Sequence, residues 1–154
     1  MSPGISGVPA IIEEGPFSDY TGFERLQVVI KGTGLVLIAP DHEIDLRLPM
    51  HPKRYDGGTP IRTRLEAGPV EVVNLIADRA KFDIGLRDID AGALLSCKQG
   101  VHVVYAAVSA AKVEIDGRVH MLSEDHAMRL TTGHETTVMV KDGRVLIGSI
   151  HEKI

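Results

Sequence analysis

Residues 28–57 read VVIKGTGLVLIAPDHEIDLRLPMHPKRYDG, and residues 105–133 read YAAVSAAKVEIDGRVHMLSEDHAMRLTTG. Each stretch runs through a strand, a short break of small residues, a second strand, a turn, a third strand, and then a polar link holding a histidine, His51 in one and His126 in the other. Internal similarity on this scale is the mark of a repeated supersecondary unit. A meander duplicated in this way predicts an all-β chain folded as a two-lobed β-barrel. Its two β-barrel lobes would span residues 1–80 and 81–154.

The surrounding sequence agrees with the repeat. Short β-branched runs alternate with Gly, Pro and Asp-Gly punctuation, and helical spacing is hard to find. Ile44, Leu46 and Leu48 alternate with Asp45 and Arg47, which predicts a strand with one apolar and one charged face. Val70, Val72, Asn74 and Ile76 form a second such face, interrupted by one amide. Asp116-Gly117 and Asp142-Gly143 each separate two apolar runs and suit tight hairpins, whose central residues need positive φ. All prolines fall between Pro3 and Pro69, where they mark strand ends and exclude long helices.

The chain has 154 residues, of which 44% are hydrophobic, with a mean hydropathy of +0.06; that is enough apolar material for a core and too much for a disordered chain. A formal net charge of −4 and no basic cluster argue against nucleic acid as a partner. No apolar run is long enough to cross a bilayer, so no membrane role is expected. Met1–Val8 lacks the basic-then-apolar pattern of a secretory signal, which makes the cytoplasm the default expectation. Cys97, the single cysteine, cannot form an internal disulfide and reads as a small buried residue at the end of an apolar run.

Seven histidines raise the question of a metal. A metal-binding cupin offers two histidines one residue apart, then an acid, then a third histidine on a later strand. Here His42, His51, His102, His120, His126, His134 and His151 stand singly, so neither a metal site nor a cofactor is expected. His126 with His134 and Glu135 could supply an acid and a base, although nothing nearby offers a nucleophile or an oxyanion pocket. Arg25 is a stronger candidate. Directed into a barrel, its planar fork would grip a carboxylate through two charge-assisted hydrogen bonds; on the outside it would be an exposed strand-start cation paired with Glu24 or a neighbour. Asn74 is the second candidate, because a buried amide must find a partner.

Several of these segments resemble one known family. Glu14-Gly15-Pro16-Phe17-Ser18-Asp19-Tyr20-Thr21-Gly22-Phe23-Glu24-Arg25 is similar to the Gly-Pro-Phe-Ser…Gly-Tyr-(Asp/Glu)-Arg segment of the HutD/Ves family. Tyr55-Asp56-Gly57-Gly58 resembles its Phe-Asp-Gly-Asp turn, and Gly68-Pro69-Val70 through Asn74-Leu75 its Gly-Pro-Val…Asn-Val-Met strand. The resemblance implies an all-β, cupin-like (double-stranded β-helix) bicupin and places the family's arginine, turn aspartate and strand asparagine on Arg25, Asp56 and Asn74 as ligand-binding residues. It also implies association with bacterial histidine utilisation, through sensing or buffering of an intermediate such as formylglutamate or urocanate. The leading expectation is therefore a non-enzymatic protein that binds a small carboxylate. The alternative is a metal-independent cupin enzyme, an isomerase or hydrolase of a small organic acid. The family's opening Trp-Lys-Asn-Gly-Gly segment has no counterpart here. That predicts a sheet edge short of one strand, on which another copy of the chain could pair to form a homo-oligomer.

Overall fold

The computed structural model describes residues 19–153 in full and, as backbone alone, the strand segments Gly4–Ser6 and Ala10–Ile11. Pro3, Pro9, Pro16 and the Glu14–Ser18 part of the motif lie outside the described residues. Among the described residues every regular element is a strand, and the chain divides into two compact units, Met1–Phe82 and Asp83–Ile154.

The first unit holds β1 (Gly4–Ser6), β2 (Ala10–Ile11), β3 (Phe23–Lys31), β4 (Leu35–Ile38), β5 (Glu43–Leu46), β6 (Lys53–Asp56), β7 (Arg62–Leu65) and β8 (Val70–Asp78). They form two sheets, one ordered β1-β8-β3-β6, with β2 also on β8, and the other β5-β4-β7. The second unit holds β9 (Phe82–Asp90), β10 (Leu94–Cys97), β11 (Gly100–Tyr105), β12 (Ala111–Ile115), β13 (Arg118–Leu122), β14 (Ala127–Thr132), β15 (Thr136–Asp142) and β16 (Arg144–Glu152). Its sheets run β14-β11-β16-β9 and β10-β15-β12-β13.

The two pairing schemes superimpose strand for strand. In the first unit β3 pairs with β6 and β8, while β4 pairs with β5 and β7. In the second, β11 pairs with β14 and β16, while β12 pairs with β13 and β15. This is the duplicated meander read from residues 28–57 and 105–133, and it makes the protein an all-β, cupin-like bicupin of two lobes. Next to β3 in its sheet, β8 also takes Gly4–Ser6 and Ala10–Ile11 as antiparallel partners.

Each lobe has its own apolar filling. Val29, Leu35, Leu37, Ile44, Leu46, Tyr55, Val70 and Val72 pack in the first, and Val104, Ala111, Val113, Ile115, Val138, Val140 and Ile147 in the second. Each large aliphatic side chain so buried contributes on the order of 1.5–3 kcal/mol. The predicted β5 face holds for Ile44 and Leu46, but Leu48 is 64% exposed, because the strand ends at Leu46 and the alternation stops with it. Cys97 is buried, and that burial pushes its thiol pKa up, away from a reactive thiolate.

Of the two Asp-Gly dipeptides, only the first is a hairpin. Asp116 and Gly117 have φ of 50° and 78°, and Ile115 sits opposite Arg118. Asp142-Gly143 instead carries the chain from β15 in one sheet to β16 in the other, which corrects the second predicted hairpin. Gly143 also has positive φ, yet the glycine is needed there mainly for room, since a Cβ would sit 2.3 Å from the Ala110 carbonyl oxygen.

Candidate functional site

Alternation along β3 sends Arg25, Gln27 and Val29 to one face, and Val29 belongs to the packed interior of the first lobe. Cross-strand register completes the group. Tyr55 on β6 lies opposite Arg25, and Asn74 on β8 lies opposite Gln27. A polar cluster therefore sits directly next to the apolar filling, on the same inner wall. Arg25 is 6% exposed, Gln27 0%, Asn74 8% and Tyr55 7%.

The contacts within the cluster are specific. Arg25 Nη2 donates to Asn74 Oδ1 at 3.3 Å, and the guanidinium carbon lies 5.2 Å from the ring centres of both Tyr20 and Tyr55. Two aromatic faces hold the cation by their quadrupoles, which favours keeping the charge in a poorly hydrated place. The Tyr55 hydroxyl donates to Gln27 Oε1 at 2.7 Å. Burial pushes the Tyr55 pKa up to about 12 despite the nearby Arg25 charge, so this phenol remains a neutral donor. The outer-face alternative for Arg25 is taken by another residue: Glu24 pairs with Arg54 at 2.8 Å.

Of the three residues implied by the family resemblance, the structure brings Arg25 and Asn74 together and leaves Asp56 apart. Asp56 is adjacent to Tyr55 in sequence, so its side chain turns to the opposite face of the sheet. There Oδ1 accepts from the Gly58 N–H at 2.8 Å and Oδ2 pairs with Arg79 at 3.0 Å. These two partners, the Gly58 N–H first, hold the carboxyl below its ordinary range. The turn so fixed sets Gly57 against Tyr20, whose N–H donates to the Gly57 carbonyl at 2.9 Å. Asp56 thus reaches the cluster only indirectly, through the backbone that seats Tyr20.

The second lobe has a buried polar side chain of its own on the matching strand. His102 on β11 lies opposite Ser149 on β16, and its imidazole is fully engaged. Nε2 lies 2.8 Å from the Lys98 carbonyl, which can only accept, so Nε2 carries the proton and Nδ1 accepts from the Ser149 hydroxyl at 2.7 Å. Thr132 donates to the same carbonyl. Burial lowers the His102 pKa from 6.5, partly offset by the Lys98 hydrogen bond and reinforced by His151. The folded state therefore binds fewer protons than the unfolded chain, and the stabilisation is complete above 6.5 and lost as the pH falls below it. The unfolding free energy from urea titrations should drop on acidification by at most about 1.4 kcal/mol per pH unit from this residue. His102→Gln should be less stable at neutral pH and show a shallower acid loss; an equally steep loss would clear His102 of that role.

The other candidates do not assemble. His126 precedes β14 and His134 follows it, and a six-residue strand keeps them about 20 Å apart. Both are exposed, and Glu135 accepts a hydrogen bond from Ser96. Among the described residues, no three His, Cys, Asp or Glu side chains gather into a group that could hold a metal ion. No described helix is long and apolar enough to cross a membrane. Gln27, Tyr20 and Tyr55 were not singled out as site residues from sequence. For Gln27 the only available signal was a polar residue two positions after Arg25, inside the apolar run Leu26–Ile30.

Comparison with known proteins agrees with this architecture. The HutD family model matches residues 7–147. An uncharacterised 21.2 kDa protein from the hutC 3′ region of Pseudomonas putida is 26% identical over 135 residues, covering 87% of this chain and 71% of the relative. The solved structure of HutD from Pseudomonas fluorescens SBW25 (formate condition) superimposes with a TM-score of 0.79 at 23% identity, covering 96% of this chain and 78% of that one. A conserved protein of unknown function from Pseudomonas aeruginosa PAO1 gives 0.80 at 16% identity, covering 95% of this chain and 80% of that one.

Proposed function

This chain belongs to the HutD family, and from that premise we propose that it binds a small organic acid in its first lobe without transforming it. The observation that carries this reading is the Arg25 guanidinium, buried on the inner wall between two tyrosine rings and against Asn74. In such a place a planar cation makes charge-assisted hydrogen bonds to a carboxylate that water screens poorly. Asn74 orients the fork, and Asp56 contributes at one remove by fixing the turn behind Tyr20. The Pseudomonas putida relative takes its description from the hutC region, which favours an intermediate of histidine degradation, formylglutamate or urocanate, as the ligand to be sensed or buffered.

A binding role fits the side chains better than catalysis does, because His126 and His134 stand at opposite ends of a strand. One ligand per chain is expected, since His102 and Ser149 already satisfy one another in the second lobe. Calorimetric titration with formylglutamate, urocanate and glutamate tests the proposal. Saturable heat from at least one acid, at one equivalent per chain, is expected; silence from all three would overturn it.

A further inference from the structure

Among the described residues Gln27 Nε2 is buried with no hydrogen-bond partner, whereas Gln27 Oε1 is held by Tyr55. Native interiors rarely leave an amide donor unmet, because its lost hydration is not repaid. The residue is wholly buried on the same face as Arg25 and two positions along the strand. Asn74 Oδ1 is engaged by Arg25, and Gln27 Oε1 by Tyr55, so the two amides have their acceptor ends occupied within the cluster. What remains on offer at Gln27 is a donor.

Resting on the reading of Arg25 as a carboxylate anchor, we propose that the ligand is bifunctional: beyond its carboxylate it carries a second acceptor, a carbonyl or carboxylate oxygen, which receives the Gln27 N–H. The anchor sets affinity for acids in general, and Gln27 selects among them. Plain alkanoates leave the donor unmet and gain little. Acyl or keto acids with the oxygen a few bonds from the carboxylate satisfy both groups.

Matched probes of equal charge separate the two claims. Pentanoate is compared with 4-oxopentanoate, and hexanoate with 5-oxohexanoate, by calorimetry on the intact chain. A ketone oxygen is costly to dehydrate, so without a waiting donor the keto acids would bind more weakly than their parents. At least one keto acid is expected to bind about tenfold or more tightly than its parent, and Gln27→Met should bring that ratio to one or below. Parents and keto acids of equal affinity in the unaltered protein would overturn the selection by Gln27 while leaving the anchor intact. Failure of all four to bind would overturn this inference, while the anchor itself stands or falls with the titrations of formylglutamate, urocanate and glutamate. The comparison within the unaltered protein decides the matter even if Gln27→Met fails to fold.

Discussion

Replacing Arg25 with alanine should weaken binding of the organic acid at least about tenfold, the 1.5–3 kcal/mol that a charge-assisted anchor contributes. Arg25→Lys should fall between the two, since an ammonium retains the charge but loses the planar fork and its stacking on Tyr20 and Tyr55. The control is Arg54→Ala. Arg54 sits next to Tyr55 on the same strand, but on the opposite face, where it pairs with Glu24. That pair is part-exposed and worth little, so affinity should not move. Equal affinities for the unaltered protein and Arg25→Ala in calorimetry would sink the functional proposal and leave the fold untouched.

Gly143→Ala should cost about 2–5 kcal/mol of stability, whereas Gly117→Ala should cost no more than about 1–2 kcal/mol. Both glycines have φ of 78°, so the backbone penalty is shared. The difference lies in what a methyl group would meet. At Gly117 nothing lies within 4 Å, whereas at Gly143 the new Cβ would sit 2.3 Å from the Ala110 carbonyl oxygen and 3.0 Å from the Ala111 Cα. Backbone atoms cannot rotate aside, and Ala111 begins the central strand β12, so the strain passes into the core of the second lobe. Urea denaturation of the two variants measures the difference, and equal losses would refute the steric argument.

Those two dipeptides show where sequence reading succeeds and where it stops. Asp116-Gly117 and Asp142-Gly143 look alike in sequence because both join apolar β runs. Whether an Asp-Gly folds a strand back on its neighbour or passes it to another sheet depends on which strands β15 and β16 pair with, and no local residue encodes that. Leu48 teaches the same lesson on a smaller scale: its alternation is right, but the strand had already ended. The histidines divide likewise. His102 is indistinguishable in sequence from the other six, yet it alone becomes a fully buried, doubly bonded side chain.

The repeat, the strand faces and the candidacy of Arg25 and Asn74 were legible in the chain itself. They depend on periodicity, turn chemistry and the cost of burying charge or amide, all of which act over a few residues. Tertiary pairing alone decided that Tyr55 and Gln27 join Arg25 and Asn74, that Asp56 turns away, and that one lobe keeps a donor unmet among the described residues while the other closes on His102. Those outcomes depend on strand register between segments up to fifty residues apart, where a shift by one position would send every side chain to the opposite face.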